Sequence, residues 1–290
     1  MTIPFVLTRY LYIKEDVYIS LVKSVFEKDY DKSLFWASEL YFSGFKQDAV
    51  EFIHSIYSSY FKSHNPRLQR IMDIALEKFD HGIHIVATML LNLTSKARKF
   101  TVKDFVLGNQ EQMQIEGAFE EETKIIVFSD VVTAHKYCDF IDADLSPRDV
   151  LKNACLYKSC QHLSGIFNCS YNALTRKELH DQHLYHWLYY AYYSPIWEKR
   201  IEKYNVTINH DTKEIVFHDE EELEEFYEHF GYDVDEQSKE VEDKIMHTTL
   251  WKQFTNDDFL QTYDLNKKIK IKKLKRVDDV GSQSEQNAAP

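Results

Sequence analysis

The sequence predicts a mainly α-helical fold, an antiparallel array of helices with one short β-hairpin near residues 206–217, and three observations carry that reading. The 290 residues include 19 Phe, 19 Tyr and 4 Trp but only 7 Gly and 5 Pro, so bulky apolar surface is plentiful and turn chemistry is scarce. The first 93 residues hold five successive blocks with apolar side chains at helical spacing, the pattern of helices that pack side by side. One pair of short segments, residues 206–209 and 214–217, flanks the polar turn His210-Asp211-Thr212-Lys213 and reads as two strands.

Residues 15–28 place Tyr18, Leu21, Val22 and Val25 at helical spacing, with Lys23, Glu27 and Lys28 on other faces. This is a first amphipathic helix. Residues 32–42 are apolar almost all round, which marks a helix buried on several sides. Its exception is a stripe, since Lys32, Trp36, Glu39 and Ser43 follow i, i+4, i+7 and i+11 and share one face. Gly44 suits the end of that helix. Residues 46–62 then give the cleanest pattern in the chain, with Ala49/Val50, Phe52/Ile53, Ile56/Tyr57 and Tyr60/Phe61 along one side. Asn65-Pro66 breaks it and opens a helix running to about Phe79, and Gly82 precedes another through Leu93.

Further on, Thr101-Val102-Lys103-Asp104 and Ser146-Pro147-Arg148-Asp149 resemble helix-opening capping boxes. Residues 108–122 are acidic and Gln-rich with little periodicity, which predicts a loop or insertion. The expected organisation is an N-terminal helical unit over 1–107, an aromatic-rich and mostly helical unit over 123–265, and a basic then disordered tail over 266–290. Within the second unit an aromatic-rich helix spans 175–193, Ser194-Pro195 starts another that carries Trp197 and Ile201, and helical spacing resumes over 220–230 and 234–252.

The string Ser33-Leu34-Phe35-Trp36-Ala37-Ser38-Glu39-Leu40-Tyr41-Phe42-Ser43-Gly44-Phe45, followed by Ile56-Tyr57-Ser58-Ser59-Tyr60-Phe61 and Asn65-Pro66, resembles an uncharacterised protein family of nucleocytoplasmic large DNA viruses. The resemblance covers about residues 10–80 and implies a viral origin and a place in the host cytoplasm or viral factory, without bringing an activity. The same helix pair is similar to the helical collar of clamp-loader-type AAA+ ATPases. None of the glycines sits in the G-x-x-x-x-G-K-[ST] context that nucleotide binding in such proteins requires, so this likeness implies packing or assembly and not ATP hydrolysis.

The start of the chain lacks the basic and small-residue features of a secretory signal, and the best apolar run, 83–93, is about half the length of a membrane span. The reading is an intracellular chain that neither spans a membrane nor carries glycans at Asn92, Asn168 or Asn205, and whose Cys138, Cys155, Cys160 and Cys169 stay reduced. His180, His183 and His186, with Cys160, His162 or Cys169 at a distance, have spacing that permits a metal without specifying one. No C-x-x-C, H-E-x-x-H or G-x-S-x-G motif is present, so the sequence predicts no catalytic residue, no metal and no cofactor. The acidic run from Asp219 to Glu228 reads as a solvated helix start that complements the helix dipole.

Two sets of residues remain as binding candidates. Trp36, Glu39 and Ser43 form either a partner-facing edge or an interior stripe whose Glu is satisfied within the bundle. Lys267, Lys268, Lys270, Lys272, Lys273, Lys275 and Arg276 form a basic run without an acid, and removing it takes the formal charge from −12 to −19. Such a run serves as a phosphate contact, a nuclear address, an anionic-membrane contact or a partner for the chain's own acidic helices. The expected function is a non-enzymatic helical protein that acts as a protein-binding or assembly module for an unidentified protein. The alternative is a nucleic-acid-associated accessory factor that contacts phosphates through 267–276.

Overall fold

The computed structural model describes residues 3–62, 65–95, 128–138, 145–167, 169–248, 252–255 and 258. Helices dominate, with a single two-stranded sheet among the described residues. The first five helices are α1 (Lys14–Phe26), α2 (Tyr30–Phe42), α3 (Lys46–Ile56), α4 (Gln69–Glu77) and α5 (Ile83–Thr94). Short connections turn the chain back between them, and α2 packs against α1, α3 and α5, which is why its sequence is apolar on nearly every side.

Local chemistry fixes the ends of α2. The Asp29 side chain accepts from the Lys32 amide at 3.1 Å as an N-cap. At the other end Phe45 N–H reaches the Leu40 carbonyl at 3.1 Å and Gly44 N–H reaches Tyr41 at 3.2 Å, the paired bonds of a Schellman motif. Gly44 has φ +97°, and a Cβ there would lie 2.5 Å from Cβ of Pro195. Gly44→Ala is therefore expected to cost about 2–3 kcal/mol, combining left-handed backbone strain with overpacking against Pro195, read as a lowered urea midpoint at unchanged slope. An unchanged midpoint would show that the turn relaxes freely.

The third helix differs from its expected span of 46–62. It is α-helical to Ile56 and then widens into a π-turn over Tyr57–Phe61, where Lys62 N–H bonds the Tyr57 carbonyl at 2.8 Å. The extra residue in that turn leaves Tyr57, Tyr60 and Phe61 all buried.

Residues 5–13 fill the space that the helices enclose. Leu7 and Ile13 face each other as an antiparallel bridge around a tight turn, with Leu11 at φ +64°, and Leu7, Leu11, Tyr12 and Ile13 are all buried. Later segments grip this turn. Trp197 Nε1 donates to the Thr8 carbonyl at 3.0 Å, the Tyr12 hydroxyl donates to the Tyr157 carbonyl at 2.7 Å, and Leu7 N–H reaches the Tyr190 carbonyl at 3.3 Å. One hydrophobic core therefore runs through residues from both halves of the chain.

The remaining helices are α6 (Val131–Ala134), α7 (Pro147–Ala154), α8 (Arg176–Tyr185), α9 (Trp187–Tyr192), α10 (Pro195–Ile201), α11 (Glu220–Phe230) and α12 (Lys239–Met246). Ser146 caps α7 by accepting from the Asp149 amide, as its sequence signalled. The helix expected over 175–193 is broken at His186, whose ring meets the Lys213 carbonyl at 3.1 Å. That bond pins the break to the hairpin formed by β1 (Val206–Asn209) and β2 (Glu214–Phe217), which pair antiparallel with Val206 opposite Phe217. Of the residues expected to be helical over 234–252, those described form a short 3-10 turn and then α12, which ends at His247 with φ +54°, and residues 249–251 lie outside the described residues. The Thr101 capping box and the 108–122 loop lie outside the described residues.

Candidate docking groove

The stripe on α2 faces the interior. Trp36, Glu39 and Ser43 are buried, and each is engaged by the chain itself. Trp36 meets Tyr12 edge to face at 5.1 Å between centroids. Glu39 receives Arg9 Nε at 2.9 Å and the Tyr10 amide at 3.1 Å. The Ser43 hydroxyl accepts from the Arg9 amide at 2.8 Å and donates to the Glu39 carbonyl at 2.5 Å. The polar stripe is thus the seat of the residue 7–13 turn, and the reading in which its Glu is satisfied inside the bundle is the one its burial supports. The other candidate set, Lys267, Lys268, Lys270, Lys272, Lys273, Lys275 and Arg276, lies outside the described residues.

The histidines considered for a metal have separate surroundings. His183 is buried, His186 turns to the Lys213 carbonyl, and His180 lies 3.8 Å from Asp181. Among the described residues no group of three or more His, Cys, Asp and Glu is arranged to hold a metal ion. The four cysteines are not joined in disulfides, and burial pushes the thiols of Cys155, Cys160 and Cys169 up, opposite to what an attacking thiolate needs. No described helix is long and apolar enough to cross a membrane.

An open groove lies elsewhere, between α4 and α5. Pro66 starts a 3-10 turn that leads into α4, and from there Arg67, Arg70, Ile71, Ile74, Ala75 and Lys78 follow one helical face. His81, His84, Ile85 and Thr88 line the opposite wall at the same spacing, and the space between is about 630 Å³. Phe128 closes one end and is held there by its neighbour, because the Ser129 amide donates to Oγ1 of Thr88 at 3.1 Å. Asp130 then caps α6 by accepting from the Thr133 amide at 2.8 Å.

The physical character of the groove is an apolar floor with a cationic rim. Ile74 is 41% exposed and Phe128 74%, and both line the groove. Exposed apolar side chains gathered in one groove mark interaction surface more often than scattered single residues do. Arg67, Arg70 and Lys78 border it with no acidic side chain among the lining residues, although the whole chain carries a formal −12. Sequence reasoning passed over this site because the segment to Phe79 read as one more helix of the array and the segment through Leu93 as an apolar one. The available signal was the spacing of Arg67, Arg70 and Lys78 beside Ile71 and Ile74. No family model, curated protein or solved structure matches the chain.

Proposed function

We propose that the chain is a non-enzymatic docking module that receives an acidic amphipathic helix from a partner protein in the α4–α5 groove. The observation that carries this reading is the apolar floor of Ile71, Ile74, Ile85 and Phe128 edged by Arg67, Arg70 and Lys78. Helix-in-groove recognition uses apolar anchors at i, i+3, i+4 and i+7, and a cationic rim selects carboxylates on the flanks and repels basic competitors. The nine residues of α4 run about 13 Å, which matches two to three turns of a bound helix. In the viral setting that the resemblance implies, the partner is a protein of the host cytoplasm or viral factory.

The test uses a fluorescent synthetic helix with Leu and Phe on one face and Glu on the other, alongside a peptide of the same composition with its apolar positions dispersed. Binding of the first peptide is expected to weaken about tenfold or more on Ile74→Glu, and similarly on the Arg70→Glu, Lys78→Glu pair, with helix content unchanged. Equal binding of both peptides, or binding indifferent to these variants, would overturn the reading. The nucleic-acid alternative makes a different forecast. Oligonucleotide binding would fall steeply with salt, would be lost when 267–276 is deleted, and would ignore Ile74→Glu.

A further inference from the structure

A second cavity lies between α8 and the end of α12. The reciprocal capping box of Thr175 and Glu178 fixes where α8 begins, and from that start Arg176, Leu179, His180 and His183 fall at i, i+3, i+4 and i+7 on one face. They line a space of about 390 Å³ whose far wall is Met246, His247 and Thr248. A second lobe of about 420 Å³ adjoins it and shares Gln161, Arg176 and Leu179. Each lobe has the size of a small-ligand site, roughly 300–1,000 Å³.

Three features of the chemistry converge. Arg176 and Lys177 supply the charge of the first lobe, and neither lobe has an acidic side chain among its lining residues. Two of the polar groups that line this region are buried, His183 on α8 at 1% exposure and Gln161 at 4%. The His183 Nε2 has no hydrogen-bond partner among the described residues, an arrangement that is costly for a group so enclosed. Burial and the neighbouring His180 hold the His183 imidazole down to about 3, against the opposing pull of the Leu11 backbone, so the ring is neutral, and with its proton directed to Leu11 the Nε2 atom is an acceptor for a hydroxyl.

The backbone is unusual at the same place. His247 in the cavity wall has φ +54°, and Leu11, whose backbone meets the His183 ring, has φ +64°. Side chains rarely hold this left-handed conformation, and residues that do so cluster at ligand sites. Arg176 Nη2 donates to the His247 carbonyl at 2.8 Å, which braces the helix bearing the charges against the strained wall.

We propose that the α8–α12 cavity is a binding site for a small hydroxylated organic anion, with a carboxylate or phosphate group at Arg176 and Lys177 and a hydroxyl at His183 Nε2. The carbon skeleton of such a ligand lies against Ile13, Leu179 and Met246. Charge-assisted hydrogen bonds from a guanidinium suit either anion, and the hydroxyl gives His183 Nε2 the partner that the described residues do not.

Glycerol 3-phosphate and glycerate serve as probes for the two anion types, with inorganic phosphate and glycerol as controls that each carry only half of the chemistry. Calorimetric titration of the full chain, together with imidazole proton signals, reads the outcome. One of the two probes is expected to bind saturably below about 10 mM and to move the His180 and His183 signals, and both controls are expected to bind more weakly. The Arg176→Ala, Lys177→Ala pair, which alters two exposed side chains, is expected to weaken that probe about tenfold or more. Failure of both probes to saturate, binding that survives the double variant, or inorganic phosphate binding as tightly as the better probe would each overturn the assignment.

Discussion

Glu39→Gln is expected to destabilise the chain by about 3–5 kcal/mol, the cost of leaving a buried charge without its counter-ion. Arg9 and Glu39 are 3% and 0% exposed as side chains and meet at 2.9 Å. The remaining donors of Arg9 are also placed, Nη2 on the Tyr137 carbonyl at 2.7 Å and Nη1 on the Cys138 carbonyl. Its guanidinium lies over the Tyr10 and Phe42 rings at 4.6 and 5.0 Å. Removing the negative partner therefore strands a cation where water cannot reach it. The Arg9→Met, Glu39→Leu pair removes both charges, and its loss is expected to be well below the sum of the two single losses. Urea unfolding of Glu39→Gln, of the single Arg9→Met and Glu39→Leu variants and of their combination checks this, and a Glu39→Gln loss under about 1 kcal/mol would mean that the pair is solvated.

The second large effect is one of pH. The Asp16 carboxyl is fully buried in α1, where it takes hydrogen bonds from the Tyr171 hydroxyl and, at 3.2 Å, from Gln161 Nε2. Burial raises it to about 7, with Glu15 adding to the rise and the bonds from Tyr171, Gln161 and Ser159 opposing it. The folded chain thus holds this proton more tightly than the unfolded chain, whose Asp titrates near 3.8. The stability it contributes is fully present below about pH 4 and is lost as pH rises through about 7. At about 1.4 kcal/mol per unit the swing is on the order of 4 kcal/mol. Asp16→Asn keeps an acceptor for Tyr171 and cannot ionise, so its stability relative to the natural chain is expected to rise by that amount between pH 4 and pH 8. Taking the difference cancels the buried His183 and His247, whose depressed values act in both proteins alike and with the opposite sign. A flat difference would show that Asp16 stays ionised across the range.

Local signals in the sequence reached the helices and the hairpin because those elements are set by short-range chemistry. The apolar face of α3, the Gly44 stop, the Ser146 cap and the strands at 206–209 and 214–217 each lie within a few residues of what defines them. The π-turn at Tyr57–Phe61 and the break at His186 escaped this reading because their causes are distant. One answers to the burial of three aromatic rings together, and the other to the Lys213 carbonyl. The same reason applies with more force to the sites. Arg9 is an unremarkable residue near the start of the sequence until Glu39 and Tyr137 close around it. The stripe of Trp36, Glu39 and Ser43 was visible as a pattern, but periodicity gives the face of a helix and not what covers that face. Arg67, Arg70 and Lys78 gain meaning only once α5 and Phe128 stand opposite them.

The placement of residues 7–13 also bears on how the chain is made. This stretch is translated before its partners at 137, 157, 190 and 197 exist, and at roughly 5–20 residues per second the last of them follows after some 10–40 s. Until then the turn is seated only by its contacts with α2, Arg9 on Glu39 and Ser43 and Tyr12 on Trp36, and the bonds that join it to Tyr157, Tyr190 and Trp197 are unmade. The last of these bonds waits for α10, so a ribosome stall between residues 95 and 190 leaves the turn held from one side alone.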